Sequence, residues 1–240
     1  IDSCGICGSD LHEYTAGPIF VPEGTPHPVS EEKAPIRMGH EYSGIIAEVG
    51  DDVTGLAVGD AVAVNPILYC GECRQCHEGN YHICDSIGFI GLSGGNGGFA
   101  ESAVVHAEHA VPLGDAVPVE HGALVEPLSV ALHAVRRSGL QAGDAVAVFG
   151  SGPIGLAVIQ CARVAGAGTI FVSEPREARR ERAADCGAAE LIDPMSTDPV
   201  EYIQDHTNGG ADVTFEVAGV EPSFNAAVES TAPGGRTTIV

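Results

Sequence analysis

Ala145-Val-Ala-Val-Phe-Gly-Ser-Gly-Pro-Ile-Gly155 decides the fold of this chain. Its first five residues are an apolar run of strand type that breaks at Gly150. The glycines then follow the pattern Gly150-x-Gly152-x-x-Gly155, and Ile154, Leu156, Val158, Ile159 and Cys161 carry a helical pattern onward. Strand, glycine turn and helix together are the context in which such glycines read as a dinucleotide fingerprint. Gly150 suits the tight turn, Gly152 lets the main chain approach a pyrophosphate, and Gly155 lets the helix lie close to the strand. The free N–H groups and the dipole of a helix start favour phosphate charge. A tight βα turn with no ligand can hold the same glycines, so the context carries the reading.

Downstream, strands and helices alternate. Thr169–Ser173 reads as a strand ending at Glu174, residues 176–184 as a helix, Glu190–Ile192 as a third strand, 212–217 as a fourth and 236–240 as a fifth. That order predicts a doubly wound parallel sheet. Glu174 stands about twenty residues past the glycines at a strand end, where an acid can bond both ribose hydroxyls and repel a 2′-phosphate. The expected cofactor is therefore NAD rather than NADP. Arg176, Arg179 and Arg180 weigh against this, since arginines accept a 2′-phosphate; their alternative role is charge pairing on a helix face.

Upstream, the chain reads as a small β-rich barrel. Ile45, Ile46 and Val49, then Ala61–Val64, and then 99–105 have strand patterns, and Val49-Gly50-Asp51 and Val58-Gly59-Asp60 mark turns. Residues 16–36 are a Pro- and Gly-rich loop, and 88–98 are expected to form a flexible loop. A helix with Pro near its start is expected around Leu124–Val135, with Glu126 in an apolar setting that demands a partner. His133 on that helix reads as a packing residue. The domains are expected to span 1–128 and 129–240.

Cys70-Gly-Glu-Cys73-Arg-Gln-Cys76, followed by Cys84, places four thiols within fifteen residues. Four thiolates on one loop close a tetrahedral zinc site with no open position, so the expected role is structural. An iron–sulfur cluster fits the spacing less well, because no Pro follows Cys84. Clustering of this kind points to metal, not disulfides, and to a reducing compartment. Cys4-x-x-Cys7 lacks a thioredoxin-type context. Cys161 and Cys186 fall in helical segments and read as packing residues.

The chain has 33 acidic and 11 basic residues, a net charge of −22, and Lys33 as its single lysine. Such a surface repels nucleic acid and anionic membranes, and no apolar run is long enough to span a bilayer. Adaptation to high salt accounts for the near absence of lysine, since salt screens self-repulsion. The start at Ile1 inside a cysteine motif and the end inside a strand suggest a fragment.

Cys7-Gly-Ser9-Asp-x-His12, Gly39-His40-Glu41, the four-cysteine run, Glu126-Pro127 and the glycine loop stand in one order. In that order they resemble the zinc-dependent medium-chain dehydrogenases, the alcohol and sorbitol dehydrogenase group. The Pro-rich stretch before Gly39, the run from Gly88 and Ala131–Arg137 look most like the (R,R)-butanediol dehydrogenase branch. The resemblance implies a GroES-like β-barrel catalytic domain followed by a Rossmann domain, both truncated at the chain ends. It also implies catalytic and structural zinc, NAD, and a small alcohol or ketone substrate, with 2,3-butanediol/acetoin first and polyols or L-threonine as alternatives. A homo-oligomer, a cytoplasmic location and no nucleic-acid or membrane partner complete the expectation. A non-catalytic nucleotide-binding relative is the alternative of another class.

By resemblance, Cys7 and His40 match catalytic zinc ligands, and Glu41 matches a residue that ligates in some members only. Glu126 takes the place of a third cysteine. Ser9 matches the hydroxyl that takes the substrate proton, and His12 the group that passes it to solvent. Gly150, Gly152, Pro153, Ile154, Gly155, Glu174 and Arg179 match cofactor contacts. An open zinc site lowers the pKa of a bound alcohol oxygen, which then needs a proton exit.

Overall fold

A computed structural model describes residues 1–240. The chain divides into two compact units, Ile1–Glu126 and Pro127–Val240.

The second unit is built on five parallel strands: β7 (Val146–Phe149), β8 (Ile170–Ser173), β9 (Glu190–Ile192), β10 (Ala211–Glu216) and β11 (Thr231–Ile239). They lie in the order β11-β10-β7-β8-β9, with β7 central. Alternate residues of β7 serve opposite faces. Val146 and Val148 join one apolar cluster with Ile170, Val172, Val213 and Phe215, and Ala147 and Phe149 join another with Phe171 and Ile192. Burial on both faces is what a parallel sheet requires.

Helices cover each face. Ala131 and Val135 of α3 (Val125–Ser138), Val158 and Ile159 of α4 (Pro153–Val164) and Ala183 of α5 (Glu177–Cys186) pack on the first cluster. Ile203 of α6 (Pro199–His206) and Ala227 of α7 (Glu221–Glu229) pack on the second. Cys161 and Cys186 pack at the edge of the first, as expected of them. Gly187 ends α5 in the left-handed region, at φ 116°, with no Cβ to resist it.

The first unit is β-rich. Here β1 (Ser3–Gly5), β2 (Glu41–Ile45), β3 (Ala61–Val64) and β6 (Ala110–Pro112) form an antiparallel sheet in that order. A second ladder pairs β4 (Ile67–Leu68) with β5 (Gly88–Phe89). Two short helices, α1 (Gly8–Ala16) and α2 (Arg74–His77), complete it. Its apolar cluster holds only Tyr42, Val64 and Ile90 as buried members.

Five expectations need correction. Residues 99–105 form no strand; Phe99 and Val104 are exposed, and the Phe99 N–H donates to the Met38 carbonyl rather than into a ladder. The segment 88–98, expected as a flexible loop, opens with β5 and is mostly buried. Its glycines allow this: a Cβ on Gly97 would collide with the Met38 main chain, and one on Gly98 would lie 2.7 Å from Cys4 Sγ. The strand expected from Ile45 lies earlier, over Glu41–Ile45, where Tyr42 and Ser43 are buried. β11 starts five residues before Arg236, through a register shift against β10 that Pro233-Gly234-Gly235 conceals in the sequence. His133, expected as a packing residue, is exposed on α3.

Candidate metal centres and nucleotide pocket

Two groups of side chains can each hold a metal ion, and both lie in the first unit. Cys7 precedes α1 as its N-cap, and its N–H donates to Asp10 Oδ2 at 2.8 Å. His40 ends a buried irregular segment that enters β2 at Glu41, and the register sets Glu41 opposite Gly5 of β1. One donor atom from each of Cys7, His40 and Glu41 lies within 4.8 Å of the other two. That spacing suits a single divalent ion, and the mixed sulfur, nitrogen and oxygen donors suit zinc.

Asp10, to which the sequence alone assigns no role, lies beside His40. Its Oδ1 stands 3.5 Å from His40 Nδ1, and both residues are buried at about 5% exposure. Neither atom has another partner. Such a carboxylate fixes the ring of a metal-binding histidine and leaves its other nitrogen for the ion. The available signal was position: an acid three residues past an N-cap, the capping-box spacing.

Burial pushes the Cys7 thiol up, and the Ser9 main chain opposes it. The Ser9 hydroxyl is 3.9 Å from Cys7 Sγ. His12 is exposed on the same helix. Glu126, in the first turn of α3, stands outside the trio, yet burial and then the charge of Glu41 raise it to about 7. Cys4 is not part of the trio: burial and then the charges of Asp10 and Glu41 raise its thiol to about 11, and it packs beside the Tyr42 cluster.

The four sulfurs of Cys70, Cys73, Cys76 and Cys84 also lie within 4.8 Å of one another. Three pairs measure 3.5, 3.9 and 3.5 Å: Cys73–Cys76, Cys73–Cys84 and Cys84–Cys70. A tetrahedron with zinc–sulfur bonds of ~2.3 Å has edges of ~3.8 Å, so the loop matches zinc. N–H groups of Cys70 and Ser86 point at Cys84 Sγ, and that of Cys73 at Cys70 Sγ. Main-chain N–H groups of Asp85 and Cys76 draw the Cys73 thiol down to about 6, while desolvation and then Cys73 drive Cys76 up to about 12. Crowded thiols divide their protons in this way, and a dication removes the conflict.

In the second unit a cavity of about 910 Å³ opens at the carboxyl end of the parallel sheet, lined by Gly150, Gly152, Glu174, Arg179 and Ala218 among others. That end is where open α/β sheets bind ligands. Gly150 has φ 101°, a conformation that favours glycine. The third glycine is fixed by packing, since a Cβ on Gly155 would strike the Gly150 carbonyl. By contrast, a Cβ on Gly152 would meet only Arg179 Nη1, at 3.9 Å, so that face of the loop is open. Pro153 begins α4 and is exposed, and Ile154 packs against the first apolar cluster rather than lining the cavity.

Glu174 is 3% exposed and accepts the N–H groups of Ser151 and Arg176, each at 3.0 Å. Arg179 Nη1 lies 3.8 Å from the same carboxylate. Glu216, at the end of β10, makes a matching arrangement that the sequence reading missed. It accepts from Ala218 N, Gly219 N and the Ser223 hydroxyl at 2.9, 3.0 and 2.7 Å. Its signal was the one used for Glu174, an acid closing a buried strand.

No helix is long and apolar enough to cross a membrane. Residues 1–115 match the family model of the alcohol dehydrogenase GroES-like domain, and residues 153–240 match that of zinc-binding dehydrogenases. The chain is 49% identical to (R,R)-butanediol dehydrogenase of Bacillus subtilis strain 168, over 99% of this chain and 67% of that protein. It is 38% identical to a sorbitol dehydrogenase of the same organism, over 98% of this chain and 65% of that protein. The crystal structure of the Bacillus subtilis 2R,3R-butanediol dehydrogenase superposes with a TM-score of 0.91 at 49% identity, covering 99% of this chain and 67% of that one. From these matches, and from a β-rich unit followed by a doubly wound sheet, the chain belongs to the zinc-binding alcohol dehydrogenase family, a GroES-like domain joined to a Rossmann domain.

Proposed function

We propose that this chain carries the zinc and nucleotide sites of an NAD-dependent dehydrogenase acting on secondary alcohols and diols, with 2,3-butanediol and acetoin as the first substrate pair to test. The observation that carries this reading is the convergence of Cys7, His40 and Glu41, with Asp10 behind the histidine. Residues 1–126 then form the catalytic domain and 127–240 the nucleotide domain. The 49% identity to a butanediol dehydrogenase supports the substrate class. The 38% identity to a sorbitol dehydrogenase keeps a polyol as the second reading.

In this reading Cys7, His40 and Glu41 hold the catalytic zinc, and Cys70, Cys73, Cys76 and Cys84 hold a structural one. Bound zinc supplies a Lewis acid for the substrate oxygen, and bound NAD supplies the hydride acceptor. Asp10, whose Oδ1 faces His40 Nδ1, would orient the imidazole for a bound zinc. The Ser9 hydroxyl, close to Cys7 Sγ, takes the substrate proton. His12, three residues along the exposed side of the helix, passes it to water. Glu126, raised by burial and then by the charge of Glu41, is the alternative carboxylate for the same zinc. Glu174 receives the adenosine ribose and disfavours a 2′-phosphate, and Arg179 faces the open side of Gly152. A cytoplasmic location, assembly into homo-oligomers and the absence of membrane and nucleic-acid partners belong to the same reading.

The test follows NADH absorbance over a panel of diols, polyols and threonine, together with zinc analysis. Two zincs per chain are expected, and Cys7→Ala is expected to lose one of them with at least about a thousandfold of turnover. Full activity in that variant would remove Cys7 from the site and overturn the reading.

A further inference from the structure

The three arginines after Glu174 have different fates. Arg179 is about half-exposed and lines the cavity. Arg176 contributes its main-chain N–H to Glu174. Arg180 does neither. Its guanidinium, about 16% exposed, donates Nη1–H to the main-chain carbonyl of Glu174 at 2.6 Å and pairs through Nη2 with Asp193 Oδ2 at 3.2 Å.

The two partners belong to different loops. Glu174 closes β8, and Asp193 follows β9. Asp193 also organises the turn that it begins: Oδ1 accepts Met195 N–H at 3.0 Å, and its carbonyl accepts Ser196 and Thr197 N–H at 3.1 and 2.9 Å. Residues 194–200 of that turn line one side of the nucleotide cavity, and Glu174 to Arg176 line another. Arg180 itself is not in the lining. A planar guanidinium holds two acceptors at a fixed angle, which an ammonium cannot do.

We propose that Arg180 and Asp193 form a clasp that sets the spacing of the two walls around the adenosine end of the nucleotide. Arg180 is thus a positioning residue, not a phosphate-binding one. It acts through Glu174 and the 194–200 turn by fixing them before the ligand arrives, which reduces the ordering cost of binding. This inference rests on the nucleotide reading proposed above.

Titration calorimetry with ADP-ribose and with nicotinamide mononucleotide, on the unaltered chain and on Arg180→Lys, Asp193→Asn and the double variant, tests it. Asp193→Asn keeps an Oδ1 acceptor for Met195 and removes only the charge facing Arg180, so the turn is retained. Each single variant is expected to weaken ADP-ribose about tenfold, the effect of ~1.4 kcal/mol. The double variant should be no worse than either single one. Mononucleotide affinity and zinc content should not change. A lower melting temperature with unchanged ADP-ribose affinity would overturn the clasp, since the pair would then serve the fold alone. Additive losses would overturn it as well. If the unaltered chain fails to bind ADP-ribose, the nucleotide reading falls first and the clasp with it.

Discussion

The two units of this chain reach order by different means. The parallel-sheet unit buries apolar residues on both faces of its strands, among them Phe149, Phe171 and Phe215, each below 2% exposure. The β-rich unit buries three residues in its apolar cluster and a few more outside it, and closes main chain upon main chain at several glycines. It also contains both groups of side chains that can hold metal. A thin core and crowded donor atoms go together, because an ion can supply cohesion that apolar area does not. The Rossmann unit has no such need.

The largest effect that sharpens this contrast comes from removing metal. Chelation, or Cys70→Ser, is expected to cost the β-rich unit on the order of 10 kcal/mol, the scale of structural zinc binding. The parallel-sheet unit should keep its melting transition. The converse variant, Phe215→Ala, should cost the parallel-sheet unit roughly 3 to 5 kcal/mol and leave zinc content untouched. Two separable calorimetric transitions with these selective responses are expected; one shared transition would break the comparison.

A smaller effect belongs to Glu126. Its folded pKa is raised from 4.5 to about 7, so between those values the metal-free folded chain holds a proton that the unfolded chain has released. Stability from this group is complete below pH 4.5, falls as pH rises toward 7, and stays reduced above it. Glu126→Gln is expected to gain about 2 kcal/mol at pH 8 in chelated protein and almost nothing at pH 4. Denaturant melts at the two pH values measure this, and an equal gain at both would show that Glu126 is not raised.

The smallest effect is expected from salt. With 33 acids against 11 bases, most carboxylates have no cationic partner, and molar salt should raise the melting temperature of the whole chain by a few degrees through screening. Equal melting in dilute buffer and molar salt would remove the reading of the surface as salt-adapted.

The parallel sheet was legible because its strands are apolar runs closed by glycines and acids, and β9 lies where the sequence reading put it. The four-cysteine site was legible because all its donors sit on one loop. The trio was harder, since Cys7 and His40 are separated by α1 and a long loop without pattern, and family resemblance rather than spacing pointed to it. Asp10 escaped notice because nothing local marks an acid as facing a ring thirty residues away. Segment 88–98 misled for a plain physical reason: glycine composition looks alike in a solvated loop and in a tightly closed one. What separates them is the neighbouring main chain, which only the fold supplies.

That closure bears on which positions of the β-rich unit tolerate a side chain. A Cβ on Gly91 would meet the carbonyl of Gly39, and one on Gly97 the carbonyls of Arg37 and Met38. The segment leading into His40 is thus packed against peptide groups, which no compensating side-chain swap can trim. Combinatorial libraries should therefore spare these glycines together with Cys7, Ser9, Asp10 and His12 at the start of α1.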